Sequence, residues 1–183
     1  MSQPEERPKS PWFRSRLPDS KQIVQVYALI AFLAFGWMML VALWTTPSWL
    51  ISLTIPEILV ILAYSFAITF VDSLLGFGVL LLAAVLWPRP RFRDEFGMRA
   101  GWMVFAYYAC MIVYVNFGLQ HHASLPLWLL IAFLAALALG YLSRRLPWVG
   151  KITGFADRLI ILLYILIPVS ALSILTVLVR NLG

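Results

Sequence analysis

Residues 22–56 read QIVQVYALIAFLAFGWMMLVALWTTPSWLISLTIP and contain no charged residue. Two further stretches, 100–143 and 159–179, are also uncharged. A run of about 18 or more predominantly apolar residues is long enough for a helix to cross a hydrocarbon core about 30 Å thick. Because a soluble fold would have to bury three such stretches completely, the sequence predicts a membrane protein.

Composition supports the same class. Of 183 residues, 62% are hydrophobic and only 12% are charged, whereas about a quarter of the residues of a soluble domain are charged. The net charge of +6 could suggest nucleic acid, but the basic residues flank the apolar segments, as in cytoplasmic loops of membrane proteins. We therefore expect the lipid bilayer as a partner and no nucleic acid. Cys110 is the only cysteine, which excludes an intramolecular disulfide and leaves no thiol metal site.

The apolar segments predict an all-α, polytopic transmembrane helix bundle of about five spans in one domain over 22–183. The expected spans are about 23–44, 57–87, 100–118, 127–142 and 158–179. Pro47 is expected to end the first span, because proline interrupts helical hydrogen bonding. Residues 1–21 hold four prolines and five basic residues and are predicted to form a disordered cytoplasmic tail.

The basic residues also predict the orientation. Thirteen of the fourteen fall within 1–21, 88–99 and 143–158, and Arg180 is the exception. Lys and Arg accumulate on the cytoplasmic side, so we expect the N-terminus inside, in a bacterial inner membrane, if each apolar region crosses once. An even number of spans would instead require a hairpin within 49–87.

The region 57–87 is unusually long. Its 31 residues would form a helix of about 46 Å, which requires tilt, projection beyond the core, or a break. We predict a broken or re-entrant helix at 72–78, because glycine tolerates non-helical backbone and Asp and Ser can bond the freed groups. Asp72 would then lie near the midplane, either as an ion-coupling or substrate site or as the N-cap of a second half-helix.

Other polar groups are predicted near the outer ends of the spans. Glu57 follows a proline in a first helical turn and suits the helix dipole. Asn116 and His121 could line the mouth of a pathway, although Asn116 could equally bridge helices. His121 and His122 are adjacent and make a poor chelate, so neither a metal site nor a cofactor is expected. No hydrolase, zinc-protease or nucleotide-binding motif is present, so we expect no enzyme.

Three segments are similar to motifs of the sulfite exporter (TauE/SafE) family of membrane permeases. They are VDSLLGFG at 71–78, GLQH at 118–121 and LGYLSRRLP at 139–147. The resemblance implies a permease whose first helix is broken at the aspartate and whose substrate is an anion or an organic sulfur compound. Members usually have two repeated halves with seven or more spans, so this shorter chain would need a homo-oligomer to complete a pathway.

Two functional hypotheses follow. The first is a permease or exporter component that acts as an oligomer. Its substrate- or ion-binding residues would be Asp72, Ser73, Gly76, Gly78, Asn116 and His121. The alternative is a non-catalytic subunit or assembly factor of a larger membrane protein complex, for which few polar residues, short loops and a basic tail are typical.

Overall fold

A computed structural model describes residues 18–86, 95–120, 124–143 and 150–182, with side chains of 150–153 outside the description. Over these residues it contains five long helices and no strand. The helices are α1 (Ser20–Ser52), α2 (Ile55–Leu86), α3 (Phe96–Val113, continued by a π-helical segment Tyr114–Gly118), α4 (Leu125–Leu142) and α5 (Gly150–Leu182). The predicted all-α class is confirmed. The predicted disorder of 1–17 and the arginines at 89, 91 and 93 lie outside the described residues.

All five helices are long and apolar enough to cross a membrane. The outer surface of the bundle consists largely of exposed Leu, Ile, Val and Phe side chains on every helix. A soluble protein rarely exposes continuous apolar surface of this extent, whereas lipid chains solvate it. The chain is therefore an integral membrane protein, and its described part holds five helices that are long and apolar enough to cross the membrane.

Helix α1 is the centre of the bundle. It contacts α2, α3 and α5, whereas α4 packs mainly along α3. On one side, Val26 and Ile30 pack in a cluster with Ala84 of α2 and Ala100 of α3. A second cluster joins α1 to α5. In it, Phe35 of α1 packs with Leu159 and Leu163 of α5. The first apolar segment therefore organises the other helices around it.

Neighbouring helices alternate in direction. At one end, the Gly97 amide at the start of α3 donates to Gln22 of α1, and Gln25 of α1 donates to Asp157 of α5. At the opposite end, the Tyr64 hydroxyl near the start of α2 donates to Asn181 near the end of α5. The starts of α1, α3 and α5 thus share one end, and the hairpin alternative for 49–87 is wrong. That this end is cytoplasmic stays a prediction from charge.

Helix α1 continues through Pro47 and ends at Ser52, so the prediction that proline ends it near 44 is wrong. Proline removes the donor that would bond the Leu43 carbonyl, and the neighbouring hydroxyls bond other carbonyls of the same turn. Thr45 donates to the Val41 carbonyl at 2.9 Å, and Thr46 donates to the Ala42 carbonyl at 2.7 Å. A helix that keeps its backbone bonded internally avoids exposing polar groups to lipid.

The irregular stretch of backbone lies in α3 rather than in α2. Residues Tyr114–Gly118 form a π-helical turn, and the Leu119 amide donates to the Tyr114 carbonyl at 3.0 Å. The Tyr114 ring is buried and packs against Trp128 of α4, with ring centroids 5.8 Å apart. A Cβ on Gly118 would lie 3.0 Å from Cε2 of that ring, so only glycine leaves Tyr114 in place.

Helix α4 meets α3 through small residues. Its buried positions are Ala132, Ala136 and Gly140, which are four apart and lie on one face. A Cβ on Gly140 would lie 2.8 Å from Cγ of Met103. Small residues at this spacing allow close helix packing in membranes, where van der Waals contact drives association.

We expect Gly118→Ala to lower the stability of the purified chain by about 1–3 kcal/mol, because the new methyl group overpacks Tyr114. Gly78→Ala is the matched control, since nothing lies within 4 Å of its Cβ position. There, the better helix propensity of alanine should leave stability unchanged or raise it by up to about 1 kcal/mol. Thermal unfolding in one detergent measures both variants, and equal stabilities would contradict this account of the π-helical turn.

Candidate functional site

Helix α2 is uninterrupted from Ile55 to Leu86, so the predicted break at 72–78 is wrong. Gly76 and Gly78 lie within regular helix. Each backbone group that a break exposes to lipid costs several kcal/mol, and glycine lowers only the steric part of that penalty. The 32 residues of α2 span about 48 Å, so the helix must tilt or project beyond the hydrocarbon core.

Asp72 lies in the middle of α2, on the outside of the bundle. It is 17 positions after Ile55 and 14 before Leu86 (72 − 55 and 86 − 72). Its side chain is exposed, and Leu75 and Val79 on the same side are 64% and 66% exposed. No hydrogen bond or ion pair joins Asp72 to any other residue that the structure describes. A carboxyl group therefore faces the surroundings of the bundle near the centre of α2.

Of the other residues predicted around Asp72, only Gly76 shares its exposed face. Gly76 follows one turn later and is open, with nothing within 4 Å of its Cβ position. Ser73 is completely buried, and its hydroxyl donates to the Phe70 carbonyl of the same helix at 2.7 Å. Gly78 is half-buried. The predicted four-residue site is thus divided among three sides of α2, because consecutive residues of a helix point about 100° apart.

No hydrogen bond joins Asn116 to Asp72. Asn116 lies in the π-helical turn, and its side-chain amide donates to the Ile112 carbonyl at 2.8 Å. Ala84 of α2 packs in one cluster with Ala100 of α3. The depth of this pair in the bundle serves as a common reference level for Asp72 and Asn116. Asn116 is 16 residues from Ala100 and Asp72 is 12 residues from Ala84, so with a rise of about 1.5 Å per residue Asn116 lies roughly 6 Å further from this level than Asp72 does. His121 lies outside the described residues.

Glu57 caps the start of α2. Its Oε2 accepts hydrogen bonds from the amide of Thr54 at 2.7 Å and from the Thr54 hydroxyl at 2.8 Å. A threonine before the helix and a glutamate three residues later form half of a capping box. The interpretation of Glu57 as a residue that stabilises a helix start agrees with this geometry.

A polar cluster that was not predicted joins three helices at the end where α1 begins. Gln25 is buried, and its Nε2 donates to Oδ1 of Asp157 at 2.7 Å, while Nζ of Lys21 lies 3.6 Å from Oδ2. Gln22 accepts the Gly97 amide at 3.0 Å, which satisfies a donor that the first turn of α3 leaves free. The sequence signal was the pair of glutamines, 22 and 25, three apart in an otherwise apolar segment.

Asp72 is the only acidic residue near the middle of a described helix. The described residues contain no cluster of three or more His, Cys, Asp or Glu that could hold a metal ion. The buried serines 73, 143 and 173 each donate to a carbonyl of their own helix. Asp72 can accept hydrogen bonds or pair with a cation, and none of the described residues supplies either.

We expect Asp72→Leu to improve membrane insertion of α2 by about 3 kcal/mol, because it removes a carboxyl group from mid-depth. Thermal stability of the isolated bundle should change little, since the replaced side chain is exposed and joins no described residue by a hydrogen bond or ion pair. Ser73→Leu is the matched comparison at the next position. It should lower thermal stability by about 1–3 kcal/mol through overpacking. An insertion assay and thermal unfolding measure the two effects; a large loss of bundle stability in Asp72→Leu would contradict the assignment.

Gln25→Leu should lower the stability of the bundle by about 1–3 kcal/mol, because it removes a buried hydrogen bond to Asp157. Lys21→Gln should cost at most about 1 kcal/mol, since the ion pair that it removes is largely exposed. Both variants are compared by thermal unfolding in the same detergent. If Lys21→Gln proved as damaging as Gln25→Leu, the ion pair rather than the buried amide would hold α1 to α5.

Comparison with known proteins assigns no family. The chain matches no protein-family model, no curated protein and no solved structure. The functional argument therefore depends on the position and surroundings of Asp72.

Proposed function

We propose that the chain is a non-catalytic subunit of a larger membrane protein complex. The observation that carries this proposal is the exposed carboxyl group of Asp72 in the middle of α2. An aspartate at the centre of a membrane helix costs about 2.5–3.5 kcal/mol on insertion scales. A second protein surface that covers α2 and bonds to the carboxyl group offsets that cost.

Gly76 supports association at the same place. It lies one turn from Asp72 and leaves open space where other residues carry a side chain. Small residues allow the backbones of membrane helices to approach closely, which increases van der Waals contact and shortens polar contacts. A carboxyl group beside an open glycine is thus typical of a helix contact between membrane proteins.

The interior of the bundle favours a subunit over a pathway within one chain. Among the described residues, the buried polar side chains are few: Gln25, Ser73, Ser143, Ser170 and Ser173. Gln25 lies near the end of the bundle, and most of the serines bond to their own helices. A substrate path needs polar groups that converge on one space, and the described helices pack through apolar clusters instead.

A permease or exporter component for an anion or an organic sulfur compound is the second candidate. The shared open face of Asp72 and Gly76 favours it, because two copies that met there would form a pathway between them. The three segments that resemble sulfite exporters supply the substrate class. The uninterrupted α2 departs from the broken helix that this resemblance implies, which leaves the subunit as the better-supported function.

Location in a bacterial inner membrane, with the N-terminus in the cytoplasm, belongs to the same proposal. It is supported by the distribution of the basic residues, since thirteen of the fourteen fall within 1–21, 88–99 and 143–158. The alternating helix directions agree with it, because the described starts of α1, α3 and α5 share one end. A partner would then assemble with α2 within the same membrane.

Mild-detergent purification of the tagged full chain from its own membranes tests the proposal. We expect a stoichiometric complex with unrelated chains, and we expect Asp72→Leu to reduce their recovery at least about tenfold, which corresponds to 1.4 kcal/mol. Leu134→Ala is the control, because Leu134 is 55% exposed on α4, away from α2. A self-contained homodimer that takes up sulfite into proteoliposomes, with uptake lost in Asp72→Asn, would favour the permease instead.

A further inference from the structure

We propose that the partner of this chain is a different membrane protein whose transmembrane helix carries a lysine or an arginine at mid-depth, opposite Asp72. This inference rests on the proposed function and names the chemistry of its partner. The surface involved is called the Asp72 face. It consists of Ile68, Val71, Asp72, Leu75, Gly76 and Val79 of α2.

The Asp72 face forms one stripe along the outside of α2. Each member has another member three or four residues away, so the set lies on one side of the helix. Ile68, Leu75 and Val79 are each about 60% exposed or more, and Val71 is 48% exposed. The stripe extends from 68 to 79, or about 17 Å along the axis, which matches about three turns of a partner helix. The apolar side chains of this face would accept any apolar helix, so Asp72 is its only group that can select a partner by charge.

Charge complementarity determines the class of partner. A carboxylate in a medium of low dielectric interacts strongly with a cation within about 4 Å. Charged residues within transmembrane segments almost always face other protein or water and pair with one another. Among the described residues, Asp72 forms no ion pair with a neighbouring helix. A helix with one Lys or Arg at the same depth supplies the missing charge.

A second copy of this chain cannot supply that cation. Residues 22–56, 100–143 and 159–179 carry no charge, and the only charged residue in 58–86 is Asp72. In a twofold symmetric dimer through this face, the two Asp72 side chains would meet each other, because the same surface is used by both copies. Like charges at close range disfavour such a contact. The complementary charge must therefore come from another protein.

Gly76 determines how closely the partner can approach. The absence of a side chain one turn from Asp72 lets the backbone of a crossing helix come near α2 at this point. A Lys or Arg near the crossing point can then reach the carboxyl group without leaving the apolar interface. This geometry makes Gly76 a positioning residue for the ion pair, and a larger side chain there should hold the partner away.

The test uses the full chain, labelled with a fluorescence donor, in phosphatidylcholine vesicles. The probes are synthetic transmembrane peptides of leucine and alanine with identical flanks, an acceptor label, and either Lys, Arg or Leu at the centre. We expect the Lys- and Arg-centred peptides to bind at least about tenfold more tightly than the Leu-centred peptide. Asp72→Asn should remove this preference, and Gly76→Leu should weaken binding of the Lys-centred peptide.

Two further variants test the charge and the face separately. Asp72→Lys should lose the Lys-centred peptide and bind an Asp-centred one. In an Asp72→Leu background, Leu134→Asp places a carboxyl group near the middle of α4, where Leu134 is 55% exposed. This variant should bind the Lys-centred peptide at least about tenfold more weakly than the wild type does. Equal binding would show that any mid-depth carboxyl group suffices and would overturn the Asp72 face.

Other outcomes separate this inference from the proposed function. Equal binding of Lys- and Leu-centred peptides, or an unchanged preference in Asp72→Asn, overturns the cationic partner. Energy transfer between donor- and acceptor-labelled copies of the wild-type chain would also overturn the cationic partner if it disappeared in Asp72→Leu. The Asp72 face would then bind a second copy of the chain. Copurification with unrelated chains judges the subunit proposal independently, since it does not depend on the charge of the partner.

Discussion

Backbone amides and carbonyls within a bilayer have no water to bond, so each must find a partner inside the protein. This constraint favours the continuation of α1 through Pro47, because the proline removes one backbone donor whereas a helix end at 44 would leave several backbone groups without partners. It also explains why α2 remains helical through Gly76 and Gly78. Residues that end or bend helices in water have less influence here, because an interrupted helix would expose several polar groups to lipid.

Side-chain polar groups are arranged under the same constraint. At one end of the bundle, Gln22 and Gln25 of α1 bond the start of α3 and Asp157 of α5. These contacts hold three helix starts together at a level where the packed apolar clusters end. Within the spans, buried serines such as Ser73 and Ser173 bond their own helices. Asp72 differs from all of these, since it is ionisable, central and outside the bundle. That contrast is why its surroundings, rather than the interior, indicate function.

The irregular backbone of the third span shows how packing selects an unusual turn. The π-helical segment at Tyr114–Gly118 places Tyr114 against Trp128 and requires a residue without a side chain at Gly118. Helix α4 then packs on α3 through alanines and Gly140. The polar amide of Asn116 bonds back to Ile112. This turn therefore supports the contact between α3 and α4.

The sequence by itself determined the membrane class, the five apolar helices and the central position of Asp72 in the second of them, because long uncharged apolar runs have few alternatives in any environment. It also identified the start of α2 from Pro56 and Glu57. Only the tertiary structure decided that Asp72 points outward while Ser73 points inward, since side chains one residue apart differ in direction and the packing of neighbouring helices selects which side is buried. It likewise decided that α2 is unbroken and that Gln25 meets Asp157, 132 residues away, because both depend on contacts that local sequence does not contain.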